Sequence, residues 1–106
     1  MIKIVFTYRA KDDLKEIKEY IETQLLEPKT ANKLIYKILK KIDQLSIFPE
    51  SGPKLEYFDG TYGSYRYIIC ENYIIFYQHD GENVYIYRIL YQRRDYKKIL
   101  FNENNK

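Results

Sequence analysis

Three apolar segments in the second half of the chain constrain its fold more than any other feature of the sequence. They are rich in Ile, Val, Tyr and Phe, residue types that favour strands, and they cover residues 65–70, 73–77 and 84–91. Glu71-Asn72 separates the first two segments, and the polar segment Asp80-Gly81-Glu82-Asn83 directly precedes the third. Both lengths suit hairpin turns, so we predict three antiparallel strands in a meander.

The first half of the chain predicts one strand and two helices. Ile2, Ile4 and Phe6 alternate with other residues as in a strand, and Thr7 suits the N-cap of a helix that runs to about residue 24. Pro28 suits the first turn of a second helix, which extends to about residue 46. The apolar residues at helical spacing are Leu14, Ile17, Ile21 and Leu25 in the first helix and Ala31, Leu34, Ile35, Ile38, Ile42 and Leu45 in the second.

These elements predict an α+β fold in the order β-α-α-β-β-β. A helical hairpin packs on one face of a four-stranded, mainly antiparallel sheet, and a short C-terminal helix follows at residues 95–100. Residues 47–63 hold two prolines and three glycines and are predicted to form a loop, with Ile47 and Phe48 packed onto the core. We expect a single domain over residues 1–100 and a polar tail over residues 101–106.

Composition and residue counts exclude several classes of protein. The longest apolar run falls short of the roughly 18 residues of a membrane span, and the N-terminus lacks the apolar core of a signal peptide, so we expect a cytoplasmic protein with no membrane partner. The single cysteine, Cys70, excludes an intramolecular disulfide and a cysteine-based zinc site. The single histidine, His79, precedes a turn, and we expect neither a metal nor another cofactor.

The candidate functional residues are cations near the end of the last predicted strand. The net charge of +3 is modest, so a polyanionic partner requires clustered cations, and Arg93-Arg94 followed by Tyr96 is the densest such group. Arg can contact phosphate through two hydrogen bonds, and Tyr can stack on a base or transfer a proton. Arg66 and Lys54 are further candidates. The structural alternative pairs Arg93 or Arg94 with Asp95 or Glu71. Arg88 falls among apolar residues, which predicts a buried, paired side chain.

An ordered set of short motifs resembles the RelE/ParE superfamily of bacterial toxins. The motifs are Thr7, Asp13-Leu14 and Ile17, Phe48-Pro49 and Gly52, Tyr65-Arg66, the residues 73–77, and the residues 88–96. The resemblance implies the toxin of a type II toxin–antitoxin module. It implies a small cognate antitoxin that wraps the toxin surface, and binding to operator DNA only through the toxin–antitoxin complex.

The resemblance implies two alternative mechanisms. In the RelE-like one, a metal-independent endoribonuclease cuts mRNA in the ribosome; Arg66, Arg93 and Tyr96 would be catalytic, and Lys54 and Arg94 would bind RNA. In the ParE-like one, a non-catalytic toxin inhibits DNA gyrase; Ile74 favours it, because RelE-like members commonly carry a catalytic Arg there. A third alternative, outside the superfamily, is an RNA-binding or protein-interaction domain without toxicity.

Overall fold

Two helices pack on one face of a five-stranded sheet, which confirms the predicted α+β class. The computed structural model describes residues 2–60, 63–94 and 98–100, with backbone alone for 56–60 and 63–64. The elements are β1 (Lys3–Phe6), α1 (Tyr8–Thr23), α2 (Pro28–Asp43), a 3₁₀ turn (Gln44–Ser46), β2 (Lys54–Gly60), β3 (Gly63–Cys70), β4 (Tyr73–His79) and β5 (Asn83–Tyr91). Residues 98–100 are helical.

The sheet has one strand more than the sequence predicted. Its strand order is β1-β5-β4-β3-β2; β1 runs parallel to β5, and the other neighbours are antiparallel. The prediction of a loop over residues 47–63 was wrong for residues 54–60, which form β2, and for Gly63, which begins β3; residues 61–62 lie outside the described part of the chain. The Pro and Gly residues in this segment predict turns, and they hid a strand that is defined by its pairing with β3.

Both predicted hairpin turns are confirmed. Glu71-Asn72 joins β3 to β4 in a two-residue turn, with Cys70 opposite Tyr73 and with Glu71 at a φ of 54°. In the β4–β5 turn, the Asp80 carboxylate accepts hydrogen bonds from the backbone N–H groups of Glu82 (2.9 Å) and Asn83 (2.8 Å). The Asp80 side chain, which belongs to the turn itself, thus accepts the two hydrogen bonds that close the turn.

The predicted start of each helix is confirmed as well. Thr7 caps α1, because its hydroxyl oxygen accepts from the Ala10 N–H at 3.1 Å, and the same hydroxyl donates to the Tyr87 carbonyl at 2.9 Å. Pro28 begins α2. One side chain therefore starts a helix and also fixes it to β5.

The sheet carries a core on each face. The core under the helices contains most of the predicted apolar stripes, including Ile17, Ile21, Ile38 and Ile42. On the other face, Leu100 from the C-terminal helical residues is buried in a second cluster, whose other buried members are Leu55, Tyr65, Ile74, Phe76 and Leu90. The packing predicted for Ile47 and Phe48 was wrong, since both side chains are largely exposed.

Candidate functional site

A groove of about 950 Å³ lies between the helical hairpin and the end of the sheet where β5 terminates. One wall comes from α1 and α2, and the other comes from the β3–β4 turn and the last residues of β5. Its floor is apolar and includes Ile17, Ile21 and Ile89. The groove exists because β1 pairs with β5 only over residues 83–86. The rest of β5 has no neighbouring strand on that side among the described residues and faces the helices instead.

An ion pair between α1 and β5 fixes the inner end of this groove. The Asp13 carboxylate accepts from Arg88 Nε at 2.8 Å, from Arg88 Nη2 at 2.9 Å and from the Ile89 backbone N–H at 2.9 Å. Both side chains are buried, and Arg88 lies at the irregular register between β4 and β5. The pair thus closes the uncovered edge of β5, and the prediction of a buried, paired Arg88 is confirmed.

The rim of the groove carries charges of both signs. Lys33 and Lys37 of α2 and Arg94 after β5 line it, together with Glu16 and Glu71. Lys37 Nζ lies 3.0 Å from Glu71 Oε1, and both side chains are exposed. An exposed pair of this kind contributes little to stability, so both groups can exchange this partner for another at small cost.

Tyrosines form the polar end of the apolar floor. The rings of Tyr73 and Tyr91 meet edge to face with 5.5 Å between their centroids, and Tyr20 lines the same groove from α1. Burial, with a smaller effect from Tyr91 and Tyr20, raises the pKa of Tyr73 above its ordinary value. The Tyr73 phenol is therefore neutral at physiological pH and presents a hydroxyl rather than a charge.

Arg66 holds the loop that precedes β2. Its Nη1 donates to the carbonyls of Gly52 (2.8 Å) and Glu50 (3.2 Å). Tyr77, which pairs with Arg66 across β3 and β4, fixes the same loop, because its hydroxyl donates to the Pro49 carbonyl at 2.7 Å and accepts from the Gly52 N–H at 3.0 Å. In this arrangement the Arg66 guanidinium binds backbone carbonyls.

Among the other candidate cations, the structure places Lys54 beside Arg66 and keeps Arg94 away from it. Arg66 is in register with Tyr77, and Tyr77 with Ile86, whereas Arg94 comes after the end of β5 at Tyr91. Five residues of strand separate Ile86 from Tyr91, which is about 17 Å along the sheet, and two strand spacings add about 10 Å across it. Arg66 therefore lies near the middle of β3, well away from the end of β5 that borders the groove.

The remaining predicted site residues are distributed over the surface. Arg93 and Arg94 are exposed, and the Arg94 N–H donates to the Tyr91 carbonyl at 3.0 Å. Lys54 is exposed on β2, where it pairs with Arg66 in the ladder. Tyr96 lies outside the described residues, so the catalytic assignment of Arg66, Arg93 and Tyr96 stays a prediction. Of the two acidic partners considered for Arg93 or Arg94, Glu71 pairs with Lys37, and Asp95 lies outside the described residues.

Metal-ligating side chains do not gather in the described residues, where no group of three or more His, Cys, Asp and Glu could hold an ion. His79 is half-buried at the end of β4, opposite Val84. Burial, followed by the nearby Glu71 carboxylate, raises the pKa of the Cys70 thiol, so this thiol is a poor nucleophile at neutral pH. None of the described helices has the length and apolarity needed to cross a membrane.

The sequence analysis missed the role of Asp13 in the groove. A signal was present, because Asp13 lies four residues before Ile17 and so falls on the apolar stripe of α1. A charged residue on a buried stripe requires a buried partner. Arg88 likewise falls among apolar residues in the alternation of β5. These two charged residues, each on an otherwise apolar face, pair with each other although 75 positions separate them in the chain.

The chain is similar to a known family model and to solved protein structures. Residues 4–96 match the family model of the ParE toxin of the type II toxin–antitoxin system parDE. Among the solved structures that match is one described as the chromosomal ParDE toxin–antitoxin system from P. aeruginosa. It shares 20% sequence identity over 86% of this chain and 96% of the other, with a TM-score of 0.72, which shows a common fold. No curated protein matches the sequence.

Proposed function

The chain belongs to the ParE toxin family of type II toxin–antitoxin systems, and we propose that it arrests growth by binding DNA gyrase rather than by cutting RNA. Its partner in the resting state is the cognate antitoxin of such a module. The groove beside β5 is the surface proposed to hold a segment of that antitoxin, because it combines an apolar floor with a polar rim, as protein-binding surfaces commonly do.

One observation carries the choice of mechanism, namely the location of Arg66. Cleavage of a phosphodiester without a metal requires several cations to converge on one phosphate as its negative charge develops. Here the Arg66 guanidinium bonds to the Glu50 and Gly52 carbonyls, and it lies about 17 Å along the strands from the end of β5. This separation favours a toxin that acts by binding.

The middle strand supports the same mechanism. Ile74 occupies the position where the RelE-like pattern carries a catalytic Arg, and it is buried in the second core beside Leu90. An apolar side chain packed there adds to the stability of the sheet and supplies no charge to its surface. The described residues of β4 include no Lys or Arg.

A supercoiling assay with purified gyrase tests the proposal, with a ribosome-dependent translation reaction run in parallel on defined mRNA. We expect the protein to inhibit supercoiling and to leave the mRNA intact. The double variant Arg93→Ala/Tyr96→Phe should inhibit gyrase as well as the wild type does, provided that it still binds the antitoxin. New mRNA ends that require ribosomes and disappear in Tyr96→Phe would refute the proposal.

RelE-like mRNA cleavage is the second candidate, and the exposure of Arg93 and Arg94 is the observation that favours it. Both follow β5 and are exposed, and Arg94 lines the same groove as Lys33, so a nucleic acid could reach them. The translation reaction described above distinguishes this candidate. Normal growth of cells that express the chain without antitoxin would instead support the third alternative, a domain without toxicity.

A further inference from the structure

The tip of the helical hairpin exposes apolar side chains beside the groove. Tyr20 near the end of α1 is 55% exposed, and Leu25 and Leu26, in the turn between α1 and α2, are 49% and 78% exposed. Tyr20 and Leu25 line the groove, and Tyr91 lines it from β5 with 36% of its surface exposed. Leu26 directly follows Leu25, so the Cα atoms of the two residues lie about 3.8 Å apart. We call these four residues the apolar rim: Tyr20, Leu25, Leu26 and Tyr91.

Leu26 occupies the turn at a cost in stability. Its φ is 55°, in the left-handed region that Gly and Asn adopt more readily than Leu. The turn itself is closed by backbone, since the Glu27 N–H donates to the Ile21 carbonyl at 3.1 Å. The Leu26 side chain is too exposed to offset the strain by packing within the chain. Backbone strain that packing does not offset is common at binding sites, which points to a contact that Leu26 makes with a partner.

The charges around the groove are too evenly balanced to select a polyanion. Three cations and three carboxylates line it among the described residues. Asp13 pairs with the buried Arg88, and Glu71 pairs with Lys37. The lining groups outside these two pairs are two cations and one carboxylate, a balance of +1: Lys33, Arg94 and Glu16. Nucleic acids and anionic membranes require clustered cations, whereas exposed apolar side chains beside an apolar floor suit a partner that buries apolar surface.

We propose that the apolar rim binds an apolar segment of the antitoxin as that segment lies in the groove. Its apolar side chains would pack against Leu25 and Leu26 on one side and against Tyr91 on the other. A groove between two elements admits a single segment of chain held by a few apolar anchors, as in other peptide-binding grooves. This role of the rim rests on the proposed function, which supplies the antitoxin as the occupant of the groove. In this role Leu26 contributes to binding at the expense of stability.

Variants of Leu25 and Leu26, with two controls, test the proposal. Leu26→Gly removes the apolar side chain and relieves the backbone, whereas its control, Leu26→Met, keeps an apolar side chain on the same backbone. Leu25→Ser changes a side chain that lines the groove, and its control, Phe48→Ser, changes an exposed apolar side chain that does not. Urea unfolding measures stability. Binding is titrated with the purified protein that is encoded beside the toxin gene, used as the antitoxin.

We expect Leu26→Gly to be more stable than the wild type and to bind the antitoxin about tenfold more weakly, which is the effect of burying one Leu side chain less. Leu25→Ser should bind about tenfold more weakly as well, while Leu26→Met and Phe48→Ser should bind as the wild type does. A variant that is more stable and yet binds more weakly has not lost its binding through misfolding. In cells, both rim variants should arrest growth at antitoxin levels that neutralise the wild type.

Binding of wild-type strength in Leu26→Gly or Leu25→Ser would overturn the role of the rim and leave the toxin assignment intact. Rim variants that lose growth arrest but keep antitoxin binding would overturn it too, because the rim would then contact the target. Self-association of the wild type that both rim variants lose would have the same consequence. A wild type that the antitoxin does not bind would refute the proposed antitoxin groove together with the role of the rim.

Discussion

Removal of Asp13 should destabilise this fold more than substitution of any neighbouring exposed residue of α1. The carboxylate accepts three hydrogen bonds, two from the Arg88 guanidinium and one from the Ile89 backbone N–H. In Asp13→Ala, the buried Arg88 guanidinium loses the carboxylate with which it pairs, and the Ile89 N–H loses its acceptor. Loss of one partner from a buried ion pair costs about 3–5 kcal/mol, a large part of the roughly 5–15 kcal/mol that stabilises a domain.

Removal of both partners should cost less than removal of Asp13 alone. In Asp13→Leu/Arg88→Leu both buried charges are gone, and the Ile89 N–H, left without its acceptor, costs about 1–3 kcal/mol. Asp12→Ala, one residue away and exposed, is the control and should change the free energy of unfolding by less than about 0.5 kcal/mol. Urea unfolding, extrapolated linearly to water, measures all three variants.

If Asp13→Ala lowers the free energy of unfolding by less than about 1 kcal/mol, the reasoning is refuted. Such a small change would mean that the buried Arg88 charge does not depend on Asp13 for its stabilisation. A double variant less stable than Asp13→Ala would refute it as well. That result would mean that the stability comes from packing of the two side chains and not from the compensation of one charge by the other.

Three further predictions follow from local geometry. Gly52→Ala should lower the free energy of unfolding by about 1–3 kcal/mol in urea, because a Cβ at this position would lie 2.3 Å from the Tyr67 carbonyl oxygen. Unchanged stability would contradict this and would mean that the loop shifts freely. Leu26→Gly should stabilise by about 1 kcal/mol in the same assay, since Leu26 is exposed at a φ of 55°, and a loss would contradict this. Hydrogen bonds from the Asn83 and Glu82 N–H groups lower the pKa of the Asp80 carboxyl in the folded protein. The ionised Asp80 therefore stabilises the fold at pH values above the pKa of Asp80 in the unfolded chain. This stabilisation is lost as the pH falls through the lower pKa of the folded state. An NMR titration should place the Asp80 midpoint below that of an ordinary aspartate, and the advantage of the wild type in Tm over Asp80→Asn should narrow as the solution is acidified.

Local chemistry made most of the fold predictable from the sequence. The hairpin turns at Glu71-Asn72 and at Asp80 are set by loop length and by side chains within three residues. Thr7 and Pro28 mark the helix starts by capping and by a fixed φ, both of which act within one turn. The helical stripes were predictable because apolar spacing reflects which face must be buried.

The candidate site was less predictable because its residues meet through long-range contacts. β2 is stabilised by pairing with β3, and its own residues carry too weak an alternation to show it. Arg66 looked like a free cation in the sequence, yet Gly52 and Glu50 place their carbonyls beside it once the loop packs on the sheet. Residue type fixed the charge of Arg66, and the fold fixed the group to which that charge binds.

The sequence by itself determined the layer of two helices on an antiparallel meander, since each element is specified by residues close to it in the chain. Tertiary structure decided the partner of Asp13, the separation of Arg66 from Arg94 and the exposure of Ile47 and Phe48. The physical reason is that burial and charge pairing depend on which elements meet in space, and that is set by the whole packed chain and not by local spacing.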